Sequence, residues 1–213
     1  MNIIIKPQLL EKYEKLNLLD KLKDAFNFEE IIKEAKFLEE EAINLNYNSI
    51  YFEKCVFKKC RLDGIMEKAE FKDIVFDNCD FSNLNLNDAS FVRCIFKNCR
   101  LVGTSFINSL ILNVSFEDTN LSYSNFGGSS IKNTSYKGCN ITSSSFSESK
   151  FTKSNFDECN LYKSNLFGTN LNNIDFSTSN IEGIVISVKD IKGAIVSQEQ
   201  AINLSKLLGI IIK

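Results

Sequence analysis

Seven cysteines (Cys55, Cys60, Cys79, Cys94, Cys99, Cys139 and Cys159) and a dense scatter of serines are the side chains best suited to nucleophilic or metal chemistry. A serine or cysteine nucleophile needs a base beside it, most often histidine. The chain contains no histidine. Serine triads, cysteine–histidine dyads and mixed His/Cys zinc sites are therefore excluded. No GxSxG elbow, P-loop or dinucleotide fingerprint is present, and Gly127-Gly128 reads as an isolated pair that relieves crowding at one corner. The odd cysteine count without paired CxxC spacing fits a reducing compartment better than a disulfide framework. The residue types thus assign no catalytic residue, no metal site and no cofactor.

The elements that position these residues follow from a period of five. From Met66 every fifth residue is apolar, through Phe71, Phe76, Phe81, Leu86, Phe91 and Phe96 to Ile181, Ile186 and Ile191, a run of 26 positions. A composition that is 44% hydrophobic does not supply that run by chance. Two places before the large residues the positions are mostly small, as at Ala69, Cys79, Ala89, Cys94, Thr104, Ser109, Ser124, Cys139 and Ser164. All seven cysteines occupy this small position, which makes them compact buried hydrophobes. Between small and large the residue is often Asn, as at Asn120, Asn125, Asn140, Asn160 and Asn180, which suits a sharply turning backbone. Such a period belongs to neither a helix nor an ordinary strand, so the chain must coil by a fixed amount per unit.

Units such as Thr119-Asn120-Leu121-Ser122-Tyr123 and Ser154-Asn155-Phe156-Asp157-Glu158 resemble the A(D/N)LXX repeat of the pentapeptide-repeat family over residues 47 to 191. The resemblance implies an all-β solenoid, a right-handed quadrilateral β-helix with four units per coil. About seven coils spaced by about 4.8 Å would make a rod on the order of 34 Å long. Phe52, Phe57 and Leu62 keep the period one residue out of phase with Met66, which predicts a four-residue step near Asp63 to Ile65.

Both ends change character, as the ends of a stacked rod must. Residues 1–46 read as an N-terminal helical capping segment, with one helix over residues 7–26 after Pro7 and a second, charged amphipathic helix over residues 29–43. Residues 192–213 read as a C-terminal cap. Ser197 and Gln200 form a capping box, Ala201, Leu204 and Leu208 share a helical face, Gly209 ends the helix, and Ile210, Ile211 and Ile212 form a short strand. This tail is similar to the dimerisation module of the quinolone-resistance (Qnr-type) group. The resemblance implies a homodimer through Leu204, Leu207, Leu208, Ile210, Ile211 and Ile212.

The net charge is −2, so the total points to neither a nucleic-acid binder nor a strongly acidic protein. Sorting outward residues at twenty per coil gives one acidic face with Asp77, Glu117, Asp118, Asp157, Glu158 and Asp175, interrupted by Lys97 and Lys137. A neighbouring face is slightly basic, with Lys72, Arg93, Lys132, Lys150 and Lys153. Similarity to the Qnr-type group implies binding to DNA gyrase or topoisomerase IV through a DNA-like shape, with quinolone protection. Duplex DNA of about 34 Å would carry about twenty charges, against six acids on this face, so shape must do more than charge. The other reading is a rigid adaptor that engages a protein through residues 7–43. In either case the expected protein is non-enzymatic and cytoplasmic, with no direct nucleic-acid contact. The apolar run at the N-terminus is cut by Pro7 and charges before it reaches membrane-spanning length.

Overall fold

The structure is a computed structural model and describes residues 4–211. Large inward residues pair in register with their equivalents twenty residues on: Phe71 with Phe91, Phe91 with Ile111, Ile111 with Ile131 and Ile131 with Phe151. Four five-residue units therefore close one coil, and successive coils stack as a parallel β-solenoid. On two sides the stacking is regular enough to form a twelve-stranded sheet. Its middle is three eight-residue strands, and on the other two sides the coils meet through single bridges such as Asn120 to Asn140 and Asn140 to Asn160.

The five-residue unit has a clear local cause. From Lys68 to Asn173 every fifth residue turns the corner in the left-handed region, as at Asp73, Asn78, Asn83 and Asp88, or at a glycine. Asn120 and its equivalents do not themselves turn. They open the turn, with the Asn120 Oδ1 accepting the Ser122 N–H at 3.0 Å, and the left-handed residue Tyr123 follows. At Gly128 an added Cβ would lie 2.6 Å from the Asn108 Oδ1 of the coil below, so another residue at this left-handed corner would have to displace that side chain.

Inside, large residues stack ring on ring. Phe76, Phe96, Phe116, Tyr136, Phe156 and Phe176 form one column with centroid separations of 4.5 to 5.4 Å. The small inward residue does more than fill space. Its hydroxyl or thiol donates to the carbonyl 23 residues earlier: Thr104 to Phe81 at 2.7 Å, Ser129 to Phe106 at 2.6 Å, and Cys139 to Phe116 at 3.4 Å. Serine, threonine and cysteine suit this position because they are small and their donor finds a carbonyl there, whereas Ala69, Ala89, Ile74 and Val114 fill it without donating.

The phase step lies where the sequence places it. Phe37 pairs with Phe57 at twenty residues, but Phe57 pairs with Phe76 at nineteen. Gly64, at φ 109°, absorbs the missing residue, and the ladder shifts between Ala42 and Leu45. A Cβ on Gly64 would lie 2.4 Å from the Leu45 backbone nitrogen and oxygen.

The ends differ from expectation in three respects. Strand β1 (Glu14–Lys15) and helix α1 (Leu18–Phe28) replace the helix expected over 7–26. The start signal is Asn17, whose Oδ1 accepts the Asp20 N–H, and Leu18, Leu22 and Ala25 bury against the first coil. Residues 29–43 are not helical. They form β2 (Ile32–Lys33), β3 (Ala35–Leu38) and β4 (Glu41–Asn46), with left-handed corners at Glu29, Glu34, Glu39 and Asn44. Pairing of Ile32 with Phe52 and Phe37 with Phe57 outweighs the helix propensity of a glutamate-rich stretch, so coiling begins at Ile32. At the other end α2 (Gln198–Leu204) carries the expected capping box, a 3-10 turn over Ser205–Leu208 follows, and Gly209 closes it at φ 70°. Ile210 and Ile211 form no strand, and Ile212 lies outside the described residues.

Candidate interaction surfaces

Stacking in register puts residues twenty apart side by side, so the sequence of each column decides its electrostatics. The column read as acidic runs Lys58, Asp77, Lys97, Glu117, Lys137, Asp157, a strict alternation of sign. Lys58 lies 3.5 Å from Asp77 and Lys137 lies 3.8 Å from Asp157. Like charges directly opposite each other repel on a sheet, and alternation turns each contact into an attraction. Asp118 and Glu158 stand one place further on, at corners separated by Gly138, and Asp175 stands apart on a later coil, where its Oδ1 accepts the Ser177 N–H. The structure therefore does not gather the six acids into one continuous acidic surface.

The same rule holds on the neighbouring side. Lys72 meets Glu53 at 2.6 Å, Lys54 faces Glu34 at 3.8 Å, and Arg93 grips Asp73 with two bonds of 2.6 Å. Asp73 is 1% exposed. Burial raises its carboxyl pKa, but the Arg93 guanidinium, the Gln8 amide and the charge of Lys72 outweigh that and hold it below the ordinary carboxylate value. Near the first coils Lys59 pairs with Glu39 at 3.1 Å, and on the adjoining side, in the column that continues to Asn120, Arg61 pairs with Glu41 at 3.0 Å. In the first coils the charges of the two strand-forming sides are thus largely paired within the rod, whereas Lys132, Lys150 and Lys153 of the basic face make no ion pair among the described residues.

The other two sides are built differently. Residues 101–109 and 120–130 hold no charged residue, and their outward positions are Asn, Ser, Thr, Gly and a few large side chains. Asn120, Asn140, Asn160 and Asn180 stack as an amide ladder, with Asn180 Nδ2 donating to Asn160 Oδ1 at 3.1 Å. Tyr123, at 66% exposure, stands beside this ladder, and Phe167, at 54%, stands on the other side, after Asn165. No sequence signal beyond the twenty-residue spacing marks this pair of sides.

The thiols are all free and buried. Burial pushes Cys55 up to about 11 and Cys94 up to about 12, so both stay protonated and unreactive at neutral pH. Among the described residues no cluster of metal-ligating side chains is present, and no helix is long and apolar enough to cross a membrane.

At the C-terminal end Gln200 closes the last coil, its Nε2 donating to the carbonyls of Phe176 at 2.9 Å and Ser179 at 2.6 Å. Leu204 packs on the core beside it. Leu207, Leu208, Ile210 and Ile211 remain exposed, and no residue of α2 is buried. A groove of about 780 Å³ separates this end from the last coil, lined by Ile181, Ile184, Asn203, Leu204 and Leu207 among others.

Comparison with known proteins gives two matching family models, "Pentapeptide repeat region" over residues 69–146 and "Pentapeptide repeats (8 copies)" over residues 144–183. Together they span more than half of the chain. No curated protein matches. Among solved structures, full-length QnrB1, a plasmid-mediated fluoroquinolone resistance protein, is 20% identical, with 92% of this chain and 95% of that chain covered and a TM-score of 0.42. A trypsin-treated form of QnrB1 gives 20% identity, coverage of 84% and 90% and a TM-score of 0.48. HetL from Nostoc sp. strain PCC 7120, a pentapeptide repeat protein involved in heterocyst differentiation regulation, gives 13% identity, coverage of 86% and 98% and a TM-score of 0.40.

Proposed function

Since the chain belongs to the pentapeptide-repeat family, we propose that it is a non-enzymatic rod that binds a protein partner through its outer sides, by shape and neutral contacts rather than by a DNA-like field of charge. The observation that carries this reading is the division of the surface. One strand-forming side alternates charge along its column, the other pairs its charges only in the first coils, and on the remaining two sides residues 101–109 and 120–130 offer uncharged side chains with Tyr123 raised above them. Protein interfaces favour aromatic anchors and are poor in charge at their centres, because charges cost most to desolvate.

The partner we propose first is DNA gyrase or topoisomerase IV, with protection against quinolones. This rests on the resemblance of the repeat and the C-terminal tail to the Qnr-type group and on the likeness to QnrB1, a fluoroquinolone resistance protein. A supercoiling assay with purified gyrase, run with and without a fluoroquinolone across a range of rod concentrations, tests it. Restored supercoiling in the presence of drug supports the reading, and neither protection nor inhibition at any concentration refutes it.

A second reading, an adaptor unrelated to topoisomerases, is favoured by Phe26, Phe28 and Ile31, which are exposed at the capped N-terminal end. We further propose that the exposed Leu207, Leu208, Ile210 and Ile211 join two copies end to end, and that the protein works in the cytoplasm, where seven unpaired thiols persist. Charge substitutions at Leu207 and Ile211 should then halve the mass measured by light scattering.

A further inference from the structure

Residues 4–10 lie outside the coil and run along it. The Gln8 N–H donates to the Asp73 Oδ1 at 2.9 Å and the Ile5 N–H to the Asn113 Oδ1 at 3.4 Å. Asp73 and Asn113 stand at equivalent corners two coils apart, with Arg93 between them. Two coils rise about 9.6 Å, and three residues of extended chain span about 10 Å. The spacing of Ile5 and Gln8 along an extended segment therefore matches the spacing of Asn113 and Asp73 along the corner. The burial pattern agrees. Of the left-handed corner residues described, Asp73 and Asn113 alone are buried, at 1% and 6% exposure, while Arg93 and Asn133 in the same column are partly open.

We propose that the corner column of Asp73, Arg93 and Asn113 is a docking groove for an extended peptide, and that residues 4–10 are its built-in, displaceable occupant, a strap that holds the groove closed until a partner's segment replaces it. Several features make the strap removable. None of residues 4–10 is buried, and Ile5, Leu9 and Leu10 point substantially into solvent. Its polar bonds to the rod come from backbone donors, so its own side chains contribute little to recognition. At its root the Tyr13 hydroxyl accepts the Leu10 N–H at 2.9 Å, and Glu14 and Lys15 are pinned to Ala35 and Lys36. The strap can swing from that point without disturbing α1.

The groove offers a carboxylate already neutralised by Arg93, followed by amide oxygens, and continues to Asn133, whose Nδ2 donates to Asn113 at 3.2 Å. Its acceptors, the Asp73 and Asn113 side-chain oxygens, suit the backbone N–H groups of an extended chain. The inference stands apart from the identity of the partner, because the probe is the chain's own segment.

The test is a two-dimensional amide spectrum of isotope-labelled protein, titrated with an unlabelled peptide copy of residues 1–10. It is recorded on the full chain and on a chain that starts at Glu11. The spectrum itself reports whether the shortened chain is folded, and Gln8→Pro in the full chain, which lacks the donor to Asp73, is the second variant. The expected result is saturable shifts confined to the surroundings of Asp73, Arg93 and Asn113 in the opened chains. In the unaltered chain, where the tethered strap competes at high effective concentration, binding should be at least about tenfold weaker. Asp73→Ala in the opened chain should abolish the shifts. The proposal is overturned if the opened chains show no shifts at these residues up to about 5 mM, beyond the millimolar limit of weak binding. It is also overturned by equal binding to the unaltered chain, or by indifference to Asp73→Ala.

Discussion

Tyr136 offers the sharpest test of how the interior is held together. It sits at a large inward position, fully buried, with its ring stacked at 4.9 Å on Phe116 and at 4.7 Å on Phe156. Its hydroxyl has no hydrogen-bond partner. A buried hydroxyl without a partner costs about 1–3 kcal/mol, the desolvation it never recovers. Tyr136→Phe removes that cost and keeps the ring stack, since phenylalanine fills the equivalent place at 76, 96, 116, 156 and 176. The oxygen removed occupies on the order of 10 Å³, and at about 24 cal/mol per Å³ the void left behind costs only about 0.2 kcal/mol. The substitution should therefore stabilise the protein by about 1–2 kcal/mol, which for a chain of this size raises Tm by about 2–8 °C. Urea and thermal unfolding, followed by circular dichroism, measure both. A loss of stability beyond about 0.5 kcal/mol would refute the reasoning, because it would mean that the hydroxyl is satisfied in solution and that the column is not a dry stack.

Three further outcomes are expected. Gly64→Ala should destabilise the protein by about 2–4 kcal/mol, since the new Cβ would lie 2.4 Å from the Leu45 backbone at φ 109°, and equilibrium unfolding would show it. Gln200→Ala should remove the side-chain half of the capping box and uncover the Phe176 and Ser179 carbonyls, costing about 1–3 kcal/mol confined to the C-terminal end. Hydrogen exchange should then rise in the last coil and stay unchanged in the first. Asp73 has a carboxyl held below its ordinary value of 3.8, so its contribution is fully present above that value and is lost as pH falls through the lower, folded value. Acid unfolding of Asp73→Ala should accordingly be flatter below about pH 4 than that of the unaltered protein.

The repeat was legible because each unit needs one large and one small inward residue, and from residue 66 to 191 the sequence supplies the large one at every fifth place. The phase step was legible for the same reason, as a break in a strict count. Residues 29–43 misled because Glu29, Glu34 and Glu39 sit at left-handed corners, where glutamate is a poor signal of a turn, and because a five-residue period over three units overlaps the spacing of a helix face. The true start of α1 hung on the single cap Asn17. Of the surfaces, the alternation of Asp77, Lys97, Glu117, Lys137 and Asp157 is written in the sequence at twenty-residue spacing, but its meaning depends on the charges touching across coils. The strap left no trace in the sequence. Its bonds come from backbone N–H groups and reach side chains 65 and 108 residues away.

Partner binding by shape and neutral contact is most directly tested by gyrase supercoiling in the presence of a fluoroquinolone, repeated from low to high salt and with Tyr123→Asp and Asp157→Lys in parallel. The account predicts protection that changes little with salt, is lost in Tyr123→Asp and survives in Asp157→Lys. Protection that collapses with salt and with Asp157→Lys would restore electrostatic DNA mimicry. No protection under any condition would remove topoisomerase as the partner.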